Sequence, residues 1–154
     1  MSRSFGTVAA VAIVVGLAGC SGSPSESDSS SRAESLWSSR TPYVGDNPAV
    51  AALVSDVHPA PRGEYSIRLR TDKHPYALTI ELDRPDQPFD PASLERQATL
   101  LLGLVANLDT VSITSGKRAY SLTAVAASED LGYDVKDLGG DQSRLDAYLG
   151  VATH

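Results

Sequence analysis

From Asp90-Pro91 to Leu108 the chain holds an apolar pattern too wide for one face of a helix. Leu94, Ala98, Leu101, Leu102, Val105 and Leu108 form a stripe at helical spacing, and Leu100 and Leu104 broaden it. A helix that is apolar over so much of its circumference must be covered on more than one side. It therefore predicts the central core helix of a packed domain. Asp90 offers a carboxylate to the free amides of the first turn, and Pro91 takes the first helical position, where its missing N–H loses no bond.

Around this helix the pattern is helix then hairpin, twice. A shorter helix reads from Asp46-Asn47-Pro48, with Val50, Leu53, Val54 and Val57 at i, i+3, i+4 and i+7. His58-Pro59-Ala60-Pro61 stops it, because a residue before proline is pushed out of the helical region. Tyr65, Ile67 and Leu69 then alternate with Glu64, Ser66, Arg68 and Arg70. After a polar turn from Thr71 to Pro75, Tyr76, Leu78, Ile80 and Leu82 alternate with Ala77, Thr79, Glu81 and Asp83. Beyond the leucine-rich helix, Val111 and Ile113 lie in one strand and Tyr120, Leu122 and Ala124 in the next, joined by Ser115-Gly116-Lys117. A weak helix near Glu129 to Gly132 and a last one from Asp141 to Ser143, carrying Leu145, Tyr148, Leu149 and Val151, close the chain. Period two means strands with one buried and one wet face. The expectation is a single α+β domain over residues 40–154, with about four antiparallel strands in two hairpins and helices packed on one face. The other face is expected to be rich in short polar side chains (Ser66, Thr79, Ser112, Ser121 and Thr123), with Arg68 beside Glu81 as a cross-strand pair.

Residues 20–39 read differently. Ten of the nineteen residues from 21 to 39 are serine, mixed with Gly22, Pro24, Glu26, Asp28 and Arg32. Such a composition predicts a disordered tether, since it buries too little apolar surface to offset the entropy of ordering. A flexible chain of that length spans about 25 Å. Trp37 is expected to be the first residue to touch the fold.

Ahead of the tether, Arg3 is the one charge before Cys20, and Val8 to Val15 is an apolar run continued by Gly16. A basic start and a short apolar core have the anatomy of a signal peptide, here residues 1–19. The core falls short of the roughly 20 apolar residues of a membrane span. Leu17-Ala18-Gly19-Cys20 resembles the lipobox of bacterial lipoproteins at every position. That resemblance implies cleavage between Gly19 and Cys20, a diacylglyceryl thioether on Cys20, and acylation of its freed amine with a chain such as palmitate. Two acyl chains give stable anchoring where one is marginal, at about 0.8 kcal/mol per buried methylene. The expected location is the extracytoplasmic face of the cell membrane, with the bilayer as a partner through Cys20. Cytoplasmic roles that need ATP, NAD or chromosomal DNA are excluded by this reading.

Cys20 is the sole cysteine, so the chain has no intramolecular disulfide and no Cys-x-x-Cys motif. Without residues 1–19 the chain has 12 Lys+Arg against 19 Asp+Glu, a net charge of −7. An acidic domain lacks the electrostatic footprint for nucleic acid.

Thr41-Pro42-Tyr43-Val44-Gly45-Asp46-Asn47, followed by a short apolar helix, resembles the opening of a lipoprotein domain family of unknown function from Gram-positive bacteria. Further similarity lies in His74 to Ile80, in the leucine-rich helix ending Asn107-Leu108-Asp109, and in Asp134 to Asp141, so that it covers about residues 40–150. Members of that family are anchored lipoproteins or extracytoplasmic ends of membrane sensors. The family has no established activity, and the resemblance implies no catalytic residues. The Tyr43 to Asn47 run also has a purely structural reading, in which Gly45 turns the chain, Asp46 and Asn47 cap the helix, and Tyr43 and Val44 pack back as a staple.

A search for catalytic sets finds none. His58, His74 and His154 stand at a helix end, a turn and the last residue, without partners at metal-ligand spacing. No Gly-x-Ser-x-Gly elbow, Ser-x-x-Lys pair or glycine-rich phosphate loop occurs. Asp83, Asp86 and Asp90, and the group Asp130, Asp134, Asp137 and Asp141, lack the glycine and terminal glutamate of a calcium loop. No catalytic residue, metal ligand or cofactor is expected, and the chain is not expected to be an enzyme. The expected function is a binding or sensing module at the cell envelope that engages an envelope protein or wall component. A structural or accessory subunit of an envelope complex is the alternative, and a cell-wall hydrolase ranks last. The candidate binding surface comprises Tyr43, Asp46, Asn47, Arg68, Arg70 and Glu81.

Overall fold

The computed structural model describes residues 24–57, 64–83 and 89–150. The signal segment, Cys20, the His58 to Pro61 stop, Asp86, Val151 and His154 lie outside the described residues. Ten elements follow in order among the described residues. They are α1 (Pro24–Ser38), α2 (Asn47–Val57), β1 (Glu64–Arg70), β2 (Ala77–Asp83), α3 (Pro91–Leu104), β3 (Thr110–Ser115), β4 (Arg118–Thr123), α4 (Ala124–Leu131), α5 (Asp137–Gly140) and α6 (Gln142–Leu149).

The class is α+β, as the patterns require, and the two hairpins are present. β1 and β2 pair antiparallel, as do β3 and β4, in a sheet of order β1-β2-β3-β4. The expectation of an all-antiparallel sheet is corrected at its centre, where β2 and β3 run parallel with Leu78 opposite Val111 and Ile80 opposite Ile113. The cause is α3. A helical crossover carries the chain back to the end of the sheet from which β2 began, so the next neighbouring strand must run the same way.

The tether expectation fails over most of its length. Pro24–Ser38 is helical, and α1 packs against α2 and α6. Ala33 and Leu36 are buried and Trp37 is half-buried against the core, at i, i+3 and i+4. Serine-rich composition hid an apolar stripe of three residues. Trp37 does touch the fold, with the Arg40 guanidinium 3.8 Å from its ring centroid, but the contact begins a turn earlier.

α2 buries Val50, Leu53, Val54 and Val57, the four positions that the spacing predicts. Asp46 caps it, accepting a bond from the Ala49 amide through its side chain and from the Val50 amide through its carbonyl. In α3 the Asp90 carboxylate accepts from the Ser93 amide, and every residue from Ala98 to Leu104 is buried. The helix stops at Leu104, four residues before the expected end. No glycine or proline is responsible. Instead Thr41 takes the Leu104 carbonyl at 3.0 Å, and Val105 turns extended to bridge Thr41 in parallel. α4 opens earlier than expected, at Ala124, because Thr123 caps it by accepting from the Ala126 amide at 3.2 Å.

One core joins these layers. Leu78, Ile80, Val111 and Ile113 from the two central strands are fully buried against α3, with Leu138 and Leu145 from the C-terminal helices and Leu36 from α1. α3 approaches α5 so closely that a Cβ on Gly103 would stand 2.7 Å from the Leu138 Cβ. On β1, by contrast, Tyr65, Ile67 and Leu69 are only half-buried.

Candidate functional site

The sheet registers place three rows of side chains on the face turned away from the core. The rows are Ser66, Glu81, Thr114 and Ala119; then Arg68, Thr79, Ser112 and Ser121; then Arg70, Ala77, Thr110 and Thr123. Ten of these twelve carry a short or polar group and two are arginines, so the face is shallow, polar and open. Arg68 and Glu81 meet across β1 and β2 at 2.6 Å, one register step apart, with both side chains largely exposed. Ser112 and Ser121 bond hydroxyl to hydroxyl at 3.1 Å across β3 and β4. Arg70 leans to the hairpin turn, donating to the Pro75 carbonyl at 2.8 Å and 3.2 Å.

The six candidate binding residues therefore divide. Arg68, Arg70 and Glu81 share the open sheet face. Tyr43, Asp46 and Asn47 stand at the start of α2, a helix that packs on α1 and α3. Asp46 is occupied in capping, and Val44 is buried with its amide on the Asn107 Oδ1 at 2.7 Å. Tyr43 is 66% exposed and does not pack back as a staple.

A second assembly forms at one end of the sheet, from segments far apart in sequence. The Asp109 carboxylate accepts from the Tyr76 amide at 2.6 Å and lies 3.0 Å from His74 Nδ1. The Tyr76 carbonyl accepts in return from the Asp109 and Thr110 amides, and the His74 and Tyr76 rings lie 3.9 Å apart. His74 thus has a charged partner that its place in a turn did not reveal. Burial acts to raise the Asp109 pKa, but the Tyr76 amide, His74 and the Lys136 ammonium outweigh it and hold the carboxyl below its ordinary value.

Lys136 closes this assembly. Its ammonium donates to the carbonyls of Leu102 at 2.6 Å, in the last turn of α3, and of Val105 at 3.0 Å and Leu108 at 2.6 Å, just beyond it. A cation at a helix C-terminus meets the negative end of its dipole, and here it also satisfies carbonyls that lack helical partners. Burial lowers its pKa to about 8, against the opposing pull of Asp109 and Asp134. Lys136 also lines a cleft of about 470 Å³ with Arg40, Thr41, Gly103 and Gly139. All three ammonium donors are taken, so the lysine serves as a cap and not as a nucleophile there. Sequence reasoning gave it no role, because its partners lie 28 to 34 residues away.

The aspartates have similar local duties. Asp134 accepts from the Lys136 amide, Asp141 from the Ser143 amide, and Asp137 lies 3.7 Å from Arg144. Among the described residues, no three His, Cys, Asp or Glu side chains converge as a metal site.

No curated protein and no solved structure matches this chain. A family model does, that of the Domain of unknown function (DUF4825), over residues 36–125. The matched span runs from the last turn of α1 through the open sheet to the start of α4, including the Val44–Asn107 and Tyr76–Asp109 ties. It covers more than half of the chain, which therefore belongs to the DUF4825 family.

Proposed function

We propose that this protein is a lipoprotein, anchored through Cys20 on the extracytoplasmic face of the cell membrane, whose domain binds a protein or wall component through its open sheet face. The observation that carries the reading is the lipobox-like run Leu17-Ala18-Gly19-Cys20, behind a basic start and a short apolar core, ahead of a domain with one polar sheet face uncovered. No helix among the described residues is long and apolar enough to cross a membrane. What supports binding is that the face offers hydroxyls and guanidinium groups in open rows across the four strands. The large apolar side chains exposed among the described residues, Tyr43 and Val125, are single, which favours a polar contact over an apolar docking edge.

Two measurements on intact cells test this. Metabolic labelling with a tagged fatty acid should mark the wild type and leave Cys20→Ala unmarked. A photo-cross-linking side chain at Thr79 or Ser112 should capture an envelope component, and one at Glu129 on α4 should not. Absence of label on the wild type removes the anchor. Turnover of cell-wall fragments by the purified domain, lost on substituting acidic residues, would replace binding with hydrolysis.

A further inference from the structure

β1 is an edge strand whose outer side pairs with nothing among the described residues. An edge of this kind presents unpaired N–H and C=O groups to any strand that approaches. β1 carries charges on its polar side, Glu64, Arg68 and Arg70, but lacks the other usual protections. Its ladder with β2 is continuous over seven residues without a bulge, it contains no proline, and its core-facing positions are Tyr65, Ile67 and Leu69 without a charge. Those three side chains are half-buried, where their counterparts Leu78, Ile80 and Leu82 on β2 are buried. Beside them opens a groove of about 500 Å³, lined by Pro48 and Ala51 of α2 together with Ile67 and Leu69.

The sequence of the strand, Glu64-Tyr65-Ser66-Ile67-Arg68-Leu69-Arg70, is complementary to itself when reversed about Ile67. Glu64 then falls opposite Arg70 at both ends, Tyr65 opposite Leu69, Ser66 opposite Arg68, and Ile67 opposite Ile67. Other registers are worse. A shift by one residue sets the apolar row of one copy on the polar side of the other. Reversal about Arg68 puts two arginines face to face, and reversal about Ser66, which sets Glu64 opposite Arg68, shortens the ladder from seven positions to five and leaves both Arg70 side chains outside it. Charge and side-chain period therefore select one register and one occupant. We propose that the protein forms a two-fold dimer in which β1 pairs antiparallel with β1 of a second copy, joining two four-stranded sheets into one. The second copy's Tyr65 then lies beside Leu69, at the mouth of the groove against α2. Arg70 can serve this contact while holding its hairpin turn, because the Pro75 carbonyl engages Nε and Nη2 and leaves Nη1. The proposal rests on the strand alone and stands whether or not Cys20 carries lipid.

The test uses the full-length chain in mild detergent. Ile67→Cys should form a disulfide-linked dimer under gentle oxidation, because the two copies of that residue face each other about 4.5–5.5 Å apart between Cα atoms. Glu64→Cys alone and Arg70→Cys alone should not rise above the background set by Cys20, since each lies about 20 Å from its own copy. Glu64→Arg or Arg70→Glu alone should weaken the dimer about tenfold or more, measured by sedimentation, by setting like charges opposite each other at both ends. The double variant E64R/R70E should restore it, with circular dichroism reporting that each variant is folded. A wild-type monomer at 100 µM (about the upper range of such a measurement), cross-linking at 64 or 70 as strong as at 67, or single and double charge variants of equal affinity would each overturn the proposal.

Discussion

Asp109 shows how much of this fold turns on single polar groups that a sequence does not mark. It reads as the polar end of a leucine-rich helix, yet its carboxylate ties the start of β2 to the start of β3 through the Tyr76 amide, with His74 beside it. Its pKa is held below the ordinary value, so the folded chain takes up this proton less readily than the unfolded one. The stability it contributes is present above the ordinary carboxylate range and is lost as pH falls through the depressed value. Asp109→Asn should cost about 1–2 kcal/mol at neutral pH. The gap to wild type should close in acid, as urea unfolding at a series of pH values would report. A gap that persists unchanged in strong acid would mean that shape and not charge sets the role of Asp109. Lys136 titrates at the other extreme. Burial lowers its pKa to about 8, so between there and the ordinary lysine value the unfolded chain binds more protons. Stability tied to this group should stay flat below pH 8 and rise with pH above it. Lys136→Met should be destabilised by about 2–3 kcal/mol at neutral pH, from three carbonyls left without a donor. It should also lack the alkaline rise, which makes the wild-type advantage larger at pH 10 than at pH 7.

At the scale of elements, periodicity was enough wherever a pattern was long. α2, α3 and the two hairpins lie where their apolar spacing puts them, and Val50, Leu53, Val54 and Val57 face inward as read. Three features escaped because their causes lie elsewhere in the chain. α3 ends at Leu104 because Thr41 and Lys136 take its carbonyls. β2 and β3 are parallel because a crossover helix, not a turn, joins them. α1 is a helix because Ala33, Leu36 and Trp37 find α2 and α6, although serine surrounds them. The candidate site was legible in half, since alternation alone placed Arg68, Arg70 and Glu81 on one face, while the assembly at Asp109 and Lys136 needed tertiary contacts. Substitution separates these causes. Leu36→Ala should cost about 2–5 kcal/mol, the range for a buried leucine, where a tether residue would cost almost nothing. Gly103→Ala should cost about 1–3 kcal/mol, because its Cβ would press on Leu138 and on the Val135 carbonyl, both at 2.7 Å. Gly45→Ala, with nothing within 4 Å of the added Cβ, serves as the neutral control. Denaturant midpoints measured at equal slope would order the three.

Across the whole molecule, the folded unit and the family match do not share boundaries. The match covers residues 36–125, but Ala33, Ala127, Val135, Leu138 and Leu145 outside it are all buried in the described fold. α5 presses on α3 at Gly103, α6 packs against α1, and Lys136 caps α3 from beyond the match. The N- and C-terminal helices thus meet each other and complete the cover that a helix apolar on most sides requires. The same geometry predicts how the chain can be cut. Removing residues 126–154 strips Val135, Leu138 and Leu145 from the core and exposes the apolar side of α3 beneath them. Losses of about 2–5 kcal/mol for each large buried side chain become comparable to the roughly 5–15 kcal/mol that a domain has in total once three are gone and the Lys136 cap with them. A fragment of residues 36–125 should therefore lack a cooperative thermal transition and show poorly dispersed amide resonances. A fragment of residues 24–150 should melt as one unit, read by circular dichroism and NMR under the same conditions. Cooperative melting of 36–125 with dispersed resonances would make the matched span an independent domain and reduce α1, α5 and α6 to dressing on it.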